Sequence, residues 1–148
     1  RAVLELGDKA GITPQLEFWG RSRNLNRISQ CLYVASAAAH PRACILADVF
    51  HMYTGGSKPS DIRFLSPATS QVFHLNDYPA TPDRATATDK DRVWPGDGIA
   101  PIKEMLATFR ANGTFPWLSV ELFHEDYWKA PAASCARTAF EKAAALLK

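Results

Sequence analysis

The sequence is most informative at first through what it lacks. It has only three cysteines, Cys31, Cys44 and Cys135. They are odd in number and show no CxxC spacing, and their neighbours are apolar, which leaves them as buried free thiols suited to a reducing, cytoplasmic setting. No apolar run approaches the roughly 18 residues that a bilayer span requires, and no signal peptide is visible. No GxGxxG opens the first βα turn and no Walker A pattern occurs, which removes the main sequence argument for nucleotide binding. Lysine and arginine form no long run and the net charge is only +2, so neither a nucleic-acid arm nor a membrane-binding surface is expected. What remains is a chain of 148 residues, 47% hydrophobic and 22% charged. That composition suits one globular domain over residues 1–148 with a real core.

Helix and strand signals alternate along the chain. Arg1 to Ala10 reads as the end of an amphipathic helix, stopped by Gly11 and Pro14. Strands are expected over Gln15–Phe18, Ala43–Asp48, Gln71–Leu75 and Trp117–Glu121. Helices are expected over Arg27–Ala39, Pro101–Ala111 and Ala132–Leu147, with a short one over Asp61–Leu65. Val49–Lys58, with its Gly55-Gly56 pair, reads as a loop. So do Asn76–Gly98, which is long enough to suggest function, and the aromatic, charged Leu122–Pro131. Strand–loop–helix repetition implies a parallel sheet covered by helices, either an open doubly wound sheet or a (β/α)8 barrel.

Each strand run closes on, or close to, a group able to bind metal. Glu17, Asp48, His74 and Glu121 follow one another at intervals of 31, 26 and 47 residues, spacings compatible with βα units of about 30 residues. Three carboxylates and an imidazole suit a hard or borderline divalent ion, with manganese, zinc, cobalt and magnesium all admissible. One such residue alone is most simply a charge at a loop edge; four in step point to a site. Glu17 and Glu121, on the first and last strands, are placed for proton transfer, one removing a proton and the other returning it. His51, three residues beyond Asp48, is a candidate substrate contact or second-metal ligand, or else a plain loop histidine. Arg92 opens RVWPGDG, where glycines permit close backbone approach to a ligand and the guanidinium can fork onto substrate oxygens; the plain alternative is a solvated turn arginine. Trp19, Trp94, Phe123, Tyr127 and Trp128 are candidates for a pocket wall, His124 for its mouth, and His40 for a structural role.

The segments LEFWG, DVFHM, FHLND, DRVWPGDG and SVELF together resemble the second half of the xylose-isomerase-like barrels, the sugar phosphate isomerase/epimerase superfamily. Within it, RVWPGDG followed by SVELFHEDYWK is most similar to the inosose isomerases. The resemblance implies a metal held by Glu17, Asp48, His74 and Glu121, the two glutamates doubling as acid and base, and contacts from His51 and Arg92 to substrate oxygens. The implied reaction moves a carbonyl between adjacent carbons of an inosose-type polyhydroxy ketone through an enediolate. Ketose 3-epimerase, hydroxypyruvate isomerase, inosose dehydratase and an inactive sugar-binding protein are the alternatives. A further member of the superfamily, an abasic-site endonuclease, places a D-x-H pair where this chain reads Asp91-Arg92-Val93, and valine cannot ligate zinc. The resemblance also implies an eight-stranded barrel about twice this length, of which residues 1–148 hold strands five to eight. The chain begins at Arg1, inside a helix, so the expectation is that an N-terminal half-barrel or a second chain, as in a homo-oligomer, completes it.

Overall fold

The computed structural model describes residues 1–148. The elements run α1 (Ala2–Ala10), β1 (Leu16–Glu17), α2 (Ile28–Ala37), β2 (Ile45–Asp48), α3 (Val49–Gly55), a 3-10 turn (Pro59–Phe64), β3 (Val72–Leu75), a second 3-10 turn (Asp89–Asp91), α4 (Ile102–Ala111), β4 (Trp117–Val120), α5 (Glu125–Trp128) and α6 (Ala132–Ala145). The four strands form one parallel sheet in the order β1-β2-β3-β4. No helix is long and apolar enough to cross a membrane.

Two segments and one cysteine differ from the sequence reading. Val49–Gly55 is a helix, not a loop. Asp48 ends β2 and also caps α3, its side chain accepting the His51 N–H, while Gly56 (φ 82°) closes the helix in the left-handed region. The Gly55-Gly56 pair thus ends a helix, as left-handed glycine does at C′. A short helix, α5, interrupts the expected loop Leu122–Pro131. Cys31 and Cys44 are buried, but Cys135 is only partly so.

Strand register decides what the sheet presents. Side chains at i and i+2 share a face, and aligned residues of parallel strands do as well. Glu17 aligns with Leu46, Asp48 with His74, and His74 with Ser119. Glu17, Leu46, Asp48, Val72, His74, Trp117, Ser119 and Glu121 therefore lie on one face. Phe18, Ile45, Ala47, Phe73 and Leu75 lie on the other, buried in the core beneath the helices with Ile28, Ile62, Met105 and Phe109. The Phe73 and Phe109 rings meet edge to face at 5.2 Å, a favoured geometry for aromatic pairs. On the site face, the lower end is wet: Trp117 is 81% exposed. Beside β4, an apolar groove of about 480 Å³ runs between α4 and α6, lined by Phe109, Phe115, Trp117, Phe140 and Leu147.

Candidate metal centre

The four strand-end residues come together. One ligand atom each from Glu17, Asp48, His74 and Glu121 lies within 4.8 Å of the others. His74 Nδ1 is central, 3.2 Å from Glu17 Oε1, 3.4 Å from Glu121 Oε2 and 3.8 Å from Asp48 Oδ2. That nitrogen is buried and is aligned for a hydrogen bond with none of the three. A buried polar atom surrounded by carboxylates but bonded to none fits a centre organised for a shared cation. Proximity of the carboxylates, Glu121 first and then Glu17, pushes His74 up to about 10. The facing imidazolium, aided by Arg92, holds Glu121 down to about 2. Asp48 is wholly buried, and burial pushes its carboxyl up against the pull of Arg92 and His51.

Arg92 is fully buried, and every N–H of its guanidinium is used. Nη1 donates to Asp48 Oδ2 at 3.0 Å and to Glu121 Oε2 at 2.9 Å. Nη2 donates to Asp89 Oδ1 at 2.6 Å and contacts His51 Nε2 at 3.1 Å, and Nε donates to Asp89 Oδ1 at 3.1 Å. Arg92 Cζ lies over the ring of Phe50 and over that of Phe123, 5.0 and 5.2 Å from their centroids. Arg92 is thus an internal counter-charge to the acidic cluster, and a substrate oxygen would have to take over one of these five donations.

The contact with Arg92 also assigns the His51 tautomer. A guanidinium only donates, so His51 Nε2 accepts and the proton of the neutral ring sits on Nδ1. Burial lowers the pKa of His51, which keeps it neutral. Nδ1 is buried and has no partner. Its N–H is a buried donor without a partner.

The glycines of RVWPGDG approach another side chain closely. Asp77, buried at 1% exposure, accepts N–H groups from Tyr78 (2.8 Å), Gly96 (3.0 Å), Gly98 (3.1 Å) and Ala100 (2.9 Å). A Cβ on Gly98 would meet Tyr78 O at 2.2 Å and Asp77 Oδ1 at 2.3 Å, so only glycine fits. Asp77 and Val93 also exchange both backbone hydrogen bonds, at 3.1 and 2.9 Å, which fixes the residue next to Arg92. Of the aromatic candidates, Trp94 stacks on Tyr127 at 4.6 Å and Tyr127 on His124 at 4.3 Å, joining the Arg92 loop to the last loop. Phe123 covers Arg92, whereas Trp19 and Trp128 are exposed. His40 pairs with Asp8 at 3.2 Å and ties α1 to the turn before β2, a structural role. Asn76, Asp77 and Asp89 were not singled out from the sequence as site residues. The signal available for the first two was their position directly after the His74 strand, in FHLND.

Comparison with known proteins bears on the fold that carries this cluster. The profile of the family described as xylose isomerase-like TIM barrel matches residues 1–147. An inosose isomerase of Halalkalibacterium halodurans is 29% identical over 93% of this chain and 49% of its own length. One from Bacillus licheniformis is 30% identical over 94% of this chain and 51% of its own. The chain therefore spans about half the length of these relatives. A crystal structure of IolI protein with a binding zinc atom superposes with a TM-score of 0.88 at 24% identity, over 96% of this chain and 51% of that one, a likeness that establishes the fold. The chain belongs to the xylose isomerase-like TIM barrel family.

Proposed function

We propose that this chain supplies the catalytic face of a divalent-metal-dependent isomerase acting on a polyhydroxy ketone, with inososes as the leading substrate class. The observation that carries the reading is the convergence of Glu17, Asp48, His74 and Glu121 within 4.8 Å on one sheet face. The choice of inososes rests on the names of the relatives, each matched over about half its length. The four residues would hold a manganese, zinc, cobalt or magnesium ion, which when bound polarises a substrate carbonyl. Glu17 and Glu121 carry the proton chemistry. One takes a proton from the carbinol carbon next to the carbonyl and the other returns a proton to the former carbonyl carbon, while the hydroxyl proton passes from the carbinol oxygen to the former carbonyl oxygen, so that the carbonyl moves by one position through an enediolate. Returning the proton to the same carbon from the opposite face would epimerise it, and the placement of the two glutamates on opposite outer strands serves that reaction as well. His51 offers its unpartnered Nδ1–H to a substrate oxygen, and Arg92 anchors the carboxylates and lends a donor to the substrate.

The proposal extends to the sheet edges: residues 1–148 act as the C-terminal half, strands five to eight, of a closed barrel. Support comes from β1 and β4, each paired on one side only, from the exposed Trp117 on the site face, and from the half-length match to relatives. Four further strands, from a preceding segment or a second copy, would complete it. The test is a screen of the full-length protein, reconstituted with each of the four ions, against inososes and ketoses. Carbonyl migration in an inosose supports the reading, and no turnover of any of them with any ion contradicts it.

A further inference from the structure

Asp48 is held through both of its oxygens. Oδ1 accepts the His51 N–H at 2.8 Å. Oδ2, the oxygen that faces His74, accepts from Asn76 Nδ2 at 2.8 Å and from Arg92 Nη1 at 3.0 Å. Asn76 is fully buried immediately after β3, and its Oδ1 accepts the Phe50 N–H at 2.9 Å. Its orientation is dictated by these partners: a backbone N–H needs the amide oxygen, and a carboxylate needs the NH2. Asn76 thereby joins the end of β3, the first turn of α3 and the carboxylate of Asp48.

The two donors on Asp48 Oδ2 differ in what else they bond. Arg92 also donates to Asp89, Glu121 and His51. Asn76 Nδ2 has no other acceptor. A carboxylate oxygen offers two in-plane lone pairs, and here both are taken. A cation at the cluster needs one of them. We propose that Asn76 is a positioning residue for the ion site: it holds Asp48 so that one Oδ2 lone pair points into the cluster, and Arg92 is the partner that yields that lone pair when a cation binds. The inference rests on the reading of Glu17, Asp48, His74 and Glu121 as a cation site.

The test is the dissociation constant of the full-length protein for Mn(II) and Zn(II), for the wild type, Asn76→Leu, Asp48→Asn and the double variant, with thermal melts of each ion-free form. Asn76→Ser serves as a second variant should leucine disturb the core. Loss of an outer partner of a metal ligand weakens binding roughly 10- to 100-fold, and that loss is expected for Asn76→Leu, with the same direction for Asn76→Ser. Because Asn76 acts through Asp48, adding Asn76→Leu to Asp48→Asn should weaken binding much less than it does in the wild type. A lowered melting temperature with dissociation constants within twofold of wild type would make Asn76 merely structural and overturn the proposal. Equal losses in both backgrounds would overturn it as well. A wild-type protein that binds neither ion would instead overturn the cation-site reading on which it stands.

Discussion

Glu17 ends β1 and Glu121 directly follows β4, the two outermost strands of the sheet, yet both reach one atom, His74 Nδ1, at 3.2 and 3.4 Å. Side chains standing off a flat sheet would keep the spacing of their strands, roughly 14 Å across three gaps. Their meeting reflects a sheet that curls towards this face, as a barrel wall does. Convergence brings both glutamates to one atom, which suits the proton removal and return proposed for them.

Glu121→Gln and Glu17→Gln should each lower turnover by roughly 10²- to 10⁴-fold, the usual contribution of a positioned acid or base. An amide still offers an oxygen to an ion, so the metal dissociation constant should change far less. Steady-state kinetics and metal titrations of the full-length variants measure the two effects. Near-normal turnover in either variant would assign the proton transfer to other groups.

Ion binding should release a proton. In the ion-free protein His74 is pushed up to about 10, above its ordinary range, so the ring carries its proton at pH 8. A ligating imidazole must be neutral. Glu121, held down to about 2, is already ionised and releases nothing. Calorimetric titration at pH 8 in buffers of different ionisation enthalpy should show about one proton released per ion, and affinity should rise roughly tenfold per pH unit up to about pH 10. Heats independent of the buffer would mean that His74 is neutral before the ion arrives.

Asp77→Asn tests the scaffold of the Arg92 loop. The carboxylate takes four backbone N–H groups; an amide would present an NH2 to some of them. Hydrogen bonds to a buried charge are worth about 1.5–3 kcal/mol each, and a stranded donor costs about 1–3 kcal/mol. Denaturant unfolding of the full-length protein should show a loss of about 3 kcal/mol. A loss below about 0.5 kcal/mol, the scale of an ordinary surface change, would show that the loop holds itself without Asp77.

Residues 1–148 expressed alone should not form a stable monomer. Strands β1 and β4 each leave one edge unpaired, and such edges invite pairing with other chains. Trp117 and the groove beside β4 leave apolar surface in water, at a cost of about 25 cal/mol per Å². Size-exclusion chromatography and thermal melting settle this: dimers or aggregates are expected, whereas a soluble monomer with one sharp transition would contradict the half-barrel reading.

The sequence made the four ligand-type residues legible because parallel strands deliver their C-terminal ends to one side, and short apolar runs mark those ends. Gly11 as a helix stop was legible for the same local reason: it sits at φ 68° after α1. Helix α3 was hidden because the Gly55-Gly56 pair that ends it reads as a loop signal, although Asp48 before an apolar run was a cap signal of equal weight. The four acceptors of Arg92 and the four donors to Asp77 were not legible. Apart from Asp89 and Tyr78, they come from segments far apart in the chain, and no local spacing encodes which buried polar groups will meet.

The decisive measurement is incubation of the full-length protein with an inosose in deuterium oxide, with and without Mn(II) or Zn(II), followed by mass spectrometry of the recovered substrate and product. Proton transfer through Glu17 and Glu121 at a cation-dependent site should place solvent deuterium on carbon in both, only when the ion is present, and with a sharp loss in Glu121→Gln. Carbonyl migration without any deuterium on carbon, or equal exchange in the absence of the ion, would contradict it.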